Sequence, residues 1–205
     1  MTKMKPEEVK DRFHDLPALF KEMGFKVGVE IGVARGFYSK WLLHGIPELK
    51  LYLVDPWLSY DEYVEHHDQE GQKILDDCLK KTQERLAGRN VEFIRKTSME
   101  AVKDFEDEGL DFVFIDGNHS FEYVVEDIAQ WSKKVKKGGI IAGHDYWNSI
   151  DRAGWPDGSK LENGTPKEIM KLCQVKYAMD GWAKANQIKF YVADKDKSPS
   201  WFYIK

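Results

Sequence analysis

Apolar residues recur along this chain in two rhythms that take turns. Short runs rich in β-branched and aromatic residues read as strands: "KVGVEIG" (26–32), "LKLYLVD" (49–55), "VEFIRK" (91–96), "LDFVFID" (110–116) and "GGIIAGHD" (138–145). Between them the apolar spacing lengthens to that of helices, over 36–44, 70–87, 98–106 and 121–135. Val9, Phe13, Leu16, Leu19, Phe20 and Met23 predict a helix over 6–23 that Gly24 ends, with Pro17 as a break or kink inside it. A last helical pattern covers 174–186. Two runs follow, "IKFYVAD" (188–194) and "SWFYIK" (200–205), joined by the polar turn "KDKSP", and they predict a hairpin.

Five short strands separated by helices imply right-handed crossovers and a doubly wound, mostly parallel α/β sheet with helices on both faces. At 205 residues the chain suits a single domain, 1–205, with 1–24 as a helical cap at one end. The irregular stretch 146–165 is long for a passive connector, which marks it as a functional loop.

Composition narrows the partners. Lys plus Arg is 31 and Asp plus Glu is 35, a net charge of −4, so nothing in the charge balance calls for nucleic acid or an anionic membrane. No apolar run approaches the ~20 residues of a membrane span, and "MTKMKPEEVKDRF" has no apolar centre of the kind a signal peptide carries. Cys78 and Cys173 lie far apart and form no metal spacing. These features suggest a reduced, cytoplasmic setting, and they are compatible with a homodimer.

The first strand ends in an acid, Glu30, and is followed by Gly32, Gly36 and an amphipathic segment. In doubly wound sheets ligands bind at the carboxyl ends of the strands. Gly32 allows a tight turn there, and Gly36 allows close approach at the helix start. The dinucleotide fingerprint has a third glycine that "EIGVARG" lacks, and an acid before the turn disfavours a pyrophosphate. The second strand ends at Asp55, where a carboxylate can accept hydrogen bonds from ribose hydroxyls. Ser98 can cap the helix that follows the third strand, with Glu100 in its first turn. Further on, Asp116 ends the fourth strand, His119 follows in a glycine-containing loop, Ser120 can cap the next helix, and His144-Asp145 ends the fifth strand. Adjacent parallel strands bring Asp116, His119, His144 and Asp145 into one cleft. His119 has a titration range suited to general-base work near neutral pH. "EYVEHHDQE" (62–70) also holds His66 and His67, but adjacent residues on a helix point about 100° apart, so a solvated face is the better reading.

E-x-G-x-x-x-G after the first strand, with D-G-x-H-x-[FY]-E-x-V-x-x-D-I and G-H-D-Y farther on, resembles class I S-adenosylmethionine-dependent methyltransferases. Among them the pattern resembles a subgroup that includes sugar and small-molecule O-methyltransferases. The resemblance covers roughly 27–145 well and 174–205 in outline. It implies a Rossmann-like seven-stranded sheet in the order 3-2-1-4-5-7-6, the C-terminal hairpin supplying the antiparallel strand. It implies S-adenosylmethionine held by Glu30 near its ammonium, by Gly32 and Gly36 under its amino-acid and sugar portions, by Asp55 at the ribose, by Ser98 and Met99 at the adenine, and by Asp116. In metal-dependent relatives an acid after the fourth strand and two residues after the fifth hold a divalent cation, magnesium or manganese. Those positions map to Asp116, His144 and Asp145. Relatives usually show Asp-Asp or Asp-Asn after the fifth strand, and the imidazole here shifts metal preference toward manganese, iron or zinc. His119 and Asp116 are the catalytic candidates, acting on a small-molecule acceptor. Two alternatives stand beside this reading: a metal-dependent oxygenase or hydroxylase-like member of the same fold, and a nucleoside-binding module without catalysis.

Overall fold

A computed structural model describes residues 4–59, 69–149 and 173–205 of the chain. His66, His67, Trp155 and most of the 146–165 stretch lie outside the described residues. Seven strands form one sheet: β1 (Val27–Ile31), β2 (Lys50–Val54), β3 (Val91–Ile94), β4 (Leu110–Ile115), β5 (Val135–Gly143), β6 (Tyr191–Ala193) and β7 (Ser200–Ile204). Their order is β3-β2-β1-β4-β5-β7-β6. The five strands from β3 to β5 run parallel, and β7 is antiparallel to both β5 and β6. This is the doubly wound arrangement expected, with the hairpin closing one edge.

The period-two pattern sorts side chains onto two faces. Phe112, Phe114, Ile140, Ala142 and Phe202 meet α1 (Asp15–Glu22), α2 (Phe37–Gly45) and α3 (Gln69–Arg85). Val113, Ile115, Ile141, Trp201 and Tyr203 meet α4 (Ser98–Ala101), α5 (Phe121–Lys134) and α6 (Val175–Asn186) on the other face. Trp131, Trp201, Phe112 and Phe114 are fully buried. Each such side chain contributes about 1.5–3 kcal/mol by leaving water, so the sheet's two faces supply most of the stabilisation.

Several elements differ from the sequence pattern for local reasons. The helix expected over 6–23 is a 3-10 turn (Pro6–Glu8) followed by α1 alone. Asp11 accepts from Phe13 N–H and His14 N–H at 2.6 and 2.8 Å, and Asp15 accepts from Lys10 N–H and Asp11 N–H, so side chains take the bonds that a continuous helix would need. Pro17 falls in the first turn of α1, where its missing N–H costs nothing. Thr97, not Ser98, precedes α4. Glu100 accepts from Thr97 N–H at 3.0 Å, and α4 passes at once into a 3-10 turn, Val102–Asp104, instead of continuing to 106. Ser120 does stand before α5, but the Phe121 N–H goes to Gln174 Oε1 at 3.0 Å. β5 begins at Val135, ahead of the two glycines, with a register irregularity opposite Leu110–Phe112. β6 is only three residues long, and Lys189, ahead of it, pairs with Glu7 at 3.1 Å.

Candidate active site

The parallel ladder continues one residue past the strands and lays the loop starts side by side. Gly32 N–H donates to Val54 O at 2.9 Å, Asp116 N–H to Ile31 O at 2.8 Å, and His144 N–H to Ile115 O at 3.0 Å. The rim of the sheet therefore carries the glycine turn, Asp55, Asp116 and His144 in one row.

The glycine turn is held from three sides. Asp55 Oδ2 accepts from Val33 N–H at 3.0 Å and Ala34 N–H at 2.9 Å, and its Oδ1 accepts from Trp57 N–H at 2.7 Å. Ala34 O accepts from Trp57 Nε1 at 2.9 Å and Thr82 Oγ1 at 2.8 Å. Gly32 has φ +77°, and a β-carbon on it would lie 2.0 Å from Asp116 O. Gly36, at φ +65°, caps α2, and a β-carbon there would lie 2.7 Å from Thr82 Cγ2. Both glycines are thus required by neighbouring protein atoms, before any ligand is considered. A carboxylate offers about four acceptor positions, so Asp55 keeps about one for a ligand hydroxyl while it holds the turn. Trp57 and Thr82 had no motif to mark them. Trp57 is completely buried, and its place two residues after the strand-end acid is the signal that could have found it.

Glu30 is 2% exposed and accepts from Ser39 Oγ at 2.5 Å. Burial pushes its carboxyl up to about 8. The Ser39 hydrogen bond opposes that rise, and the nearby Asp116 adds to it. Ser98 is turned away from the cap: its hydroxyl donates to Asp127 and accepts from Trp131 Nε1 at 2.8 Å. Burial pushes the Asp127 carboxyl up to about 7. Met99 is half-buried and packs against the core under α4 and α5.

The four groups expected to converge do so. His119 Nε2 lies 3.4 Å from Asp116 Oδ1 and 3.3 Å from Asp145 Oδ2. His144 Nδ1 lies 3.5 Å from Asp116 Oδ2 and 3.3 Å from Asp145 Oδ1, while His144 Nε2 faces Ser198 O at 3.1 Å. Burial opposes the charge on Asp116, but His144 and His119 outweigh it and hold the carboxyl well below its usual range. Burial likewise opposes the charge on Asp145, and the His144 hydrogen bond leads the effects that bring it down to about 2. Burial also disfavours imidazolium at His144, yet the two carboxylates push it up to about 9. Asp145 has φ +52° and is fixed by Ser198 Oγ and by Trp147 Nε1 at 3.2 Å, so the β6–β7 turn fastens the far side of the cluster. Asp116, His144 and Asp145 offer ligand atoms that all lie within 4.8 Å of one another.

Two residues came with no sequence signal at all. Arg12 reaches in from the segment before α1, its NH1 3.8 Å from Asp116 Oδ2 and its Nε 3.8 Å from Asp196 Oδ2. Ser198 belongs to the hairpin turn, which reads from sequence as a plain connector. At the start of the 146–165 stretch, Tyr146 turns toward α6 and donates to Asp180 Oδ1 at 2.6 Å.

Known proteins share this architecture. The family model described as Methyltransferase domain (Methyltransf_24) matches residues 29–146. A protein of Staphylococcus aureus described as a caffeoyl-CoA O-methyltransferase superposes with a TM-score of 0.64 at 12% identity, covering 93% of this chain and 81% of that one. The tomaymycin-synthesis O-methyltransferase TomG of Streptomyces achromogenes, solved with S-adenosylmethionine, gives 0.61 at 15% identity, covering 93% and 78%. An O-methyltransferase of Bacillus cereus, solved with S-adenosylhomocysteine, gives 0.57 at 14%, covering 93% and 79%. In sequence, an uncharacterized protein of Sinorhizobium fredii is 27% identical over 121 residues, 57% of this chain and 13% of that protein. An uncharacterized protein of Acanthamoeba polyphaga mimivirus is 35% identical over 65 residues, 30% of this chain and 29% of that protein. The chain thus spans less than a third of the length of either relative. With the matched segment running from the first strand through the His-Asp pair after the fifth, the chain belongs to the Methyltransferase domain family.

Proposed function

We propose that this protein is an S-adenosylmethionine-dependent methyltransferase acting on an oxygen of a small molecule, built as one domain over 1–205. One observation carries the reading: the glycine turn and the Asp116–His119–His144–Asp145 cluster are joined directly, through the contact of Gly32 with the Asp116 backbone. A cofactor lying over the turn would place its reactive end beside the cluster. The family match and the cofactor-bound structural neighbours support the same reading. Among the described residues no helix is long and apolar enough to cross a membrane. A cytoplasmic setting and the absence of a nucleic-acid partner complete the proposal, the latter on the balance of 31 basic against 35 acidic side chains.

The turn suits a cationic nucleoside. Glu30, Asp55 and Asp116 gather at the strand ends, and burial leaves Glu30 a poor anion until a cation joins it. An ammonium or sulfonium group supplies that cation. Gly32 and Gly36 set the turn, Asp55 retains one acceptor position for a ribose hydroxyl, and Ser98 and Met99 border the adenine side.

The cluster suits a divalent cation. Ser198 O fixes the proton of neutral His144 on Nε2, so its Nδ1 lone pair faces two carboxylates. That arrangement needs either a proton or a metal between the three groups. Asp116, His144 and Asp145 would hold magnesium or manganese, and such an ion lowers the pKa of a bound hydroxyl. His119, held between Asp116 and Asp145, is placed to take the acceptor's proton, and the carboxylates stabilise the imidazolium that results. Methyl transfer itself is an in-line displacement, for which alignment is the protein's main task.

The test is turnover, read as S-adenosylhomocysteine formed from S-adenosylmethionine with a panel of catechols, phenols and sugars, each with EDTA, magnesium or manganese. Product with any member supports the reading. Binding of the cofactor without turnover across such panels would favour the catalytically inactive nucleoside-binding alternative.

A further inference from the structure

Two residues without glycine's freedom stand in the left-handed region at the glycine turn. Ala34 has φ +47° and Trp57 has φ +45°. A residue with a β-carbon is strained there, and such strain persists only where the surroundings over-determine it. Ala34 is exposed, so packing of its own methyl group does not hold it. Hydrogen bonds to its backbone do. Its N–H donates to Asp55 Oδ2 at 2.9 Å, and its carbonyl accepts from Trp57 Nε1 at 2.9 Å and Thr82 Oγ1 at 2.8 Å.

Trp57 is itself locked. Its N–H donates to Asp55 Oδ1 at 2.7 Å, and its carbonyl accepts from Gln72 Nε2 at 3.1 Å. Its side chain is completely buried, with the Phe93 ring centre 5.9 Å from its own. One carboxylate thus ties both strained residues, and the indole closes the circuit between them. Thr82 is the weaker hold. Its single proton has a second acceptor in Cys78 O, four residues back on α3 and also at 2.8 Å, whereas the indole can only donate.

The turn held in this way has its amides committed. Gly32 N–H donates to Val54 O, Val33 and Ala34 N–H to Asp55, and Gly36 N–H to Val33 O at 2.8 Å. None of these four is spare for a phosphate.

We propose that Trp57, assisted by Thr82, is a positioning residue that holds the glycine turn in its binding shape before a ligand arrives. Because Ala34 is strained, the turn relaxes when the hold is weakened, and only the fraction of molecules still in shape then binds. The inference rests on the methyltransferase reading for its ligand, S-adenosylmethionine, and on the turn alone for the brace.

The test uses Ala34→Gly, since glycine takes a positive φ without strain. Wild type, Trp57→Phe, Ala34→Gly and the double variant are titrated calorimetrically with S-adenosylhomocysteine. In the ligand-free proteins, hydrogen exchange is followed at the amides of residues 33 and 34, the two bonded to Asp55. Trp57→Phe should weaken S-adenosylhomocysteine by about tenfold and speed exchange at both amides by a similar factor. Adding Ala34→Gly to Trp57→Phe should recover most of both losses. A tryptophan that only fills space predicts losses that Ala34→Gly leaves in place. Thr82→Val keeps the shape of its side chain and removes only the hydroxyl, so it carries the test if Trp57→Phe does not fold. A smaller loss with the same recovery is expected of it. A wild type that binds no S-adenosylhomocysteine would remove the cofactor reading. Amide exchange would then decide the brace by itself, recovery supporting it and lack of recovery overturning it. No loss in any folded variant, or no recovery on adding Ala34→Gly, would overturn the proposal and leave Trp57 as a packing group.

Discussion

Gly32 and Asp116 touch backbone to backbone: a β-carbon on Gly32 would stand 2.0 Å from the Asp116 carbonyl oxygen. The turn proposed to cradle the cofactor and the loop proposed to carry the chemistry are therefore one mechanical unit. Anything that moves one displaces the other.

Gly32→Ala tests that unit. A left-handed φ of +77° costs a non-glycine residue about 1–2 kcal/mol, and the overlap with Asp116 adds to it. The expected result is a lower denaturation midpoint together with loss of S-adenosylhomocysteine binding and of any metal-induced stabilisation. A folded Gly32→Ala protein that binds both as wild type does would show that the contact does not couple the two loops.

Glu30 should release a proton when the cofactor binds. Its folded-state value of about 8 lies above the ordinary carboxylate value of 4.5. Between those values the unfolded chain ionises this group and the folded chain does not. Its contribution to stability therefore falls as pH rises from 4.5 and levels off above 8. Glu30→Gln should make the ligand-free protein more resistant to denaturant at pH 8 while weakening the cofactor. Calorimetry at pH 7 in buffers of different ionisation enthalpy should show proton release on S-adenosylhomocysteine binding by wild type and none by the variant. Identical heats in all buffers would mean that Glu30 does not meet the ammonium.

How far the sequence foretold this arrangement depends on the kind of contact. The strands followed from short apolar runs, which the buried rings of Phe112, Phe114 and Trp201 bear out, whereas their order came from the resemblance to class I methyltransferases. Glu30, Asp55, Asp116 and His144-Asp145 were visible because strand ends in a parallel sheet must meet at one rim. Arg12 and Ser198 were not visible. Each reaches the cluster only through tertiary packing of the N-terminal segment on the hairpin turn, which leaves no local periodicity. Ser98 was misread as a cap because Thr97 and Ser98 are equivalent by chemistry. Burial of Asp127 and Trp131 is what drew Ser98 inward.

Metal should stabilise the protein through Asp145. At a hundred times its dissociation constant, manganese or magnesium adds about 2.7 kcal/mol, seen as a higher melting temperature. Asp145→Asn should remove most of that rise, and so should His144→Gln. A rise that persists in both variants would place the ion elsewhere.

In EDTA, His144 gives a pH signature. Its folded value of about 9 is raised above the ordinary imidazole value of 6.5 by Asp116 and Asp145, against the effect of burial. The stabilising ion pairs are fully present below 6.5 and are lost as pH rises through 9. The stability gap between wild type and His144→Gln should therefore shrink from pH 6.5 to 9. A gap that stays constant over that window would mean the imidazole is not charged in the metal-free fold.

The most direct measurement is a calorimetric titration of the folded protein with S-adenosylhomocysteine, with NAD as the control ligand and Asp55→Ala as the control protein. A methyltransferase site predicts saturable binding of S-adenosylhomocysteine and none of NAD. It also predicts a loss of about 1–3 kcal/mol in Asp55→Ala, which removes both a sugar contact and the brace under the glycine turn. A folded wild-type protein that takes up NAD and not S-adenosylhomocysteine would contradict it.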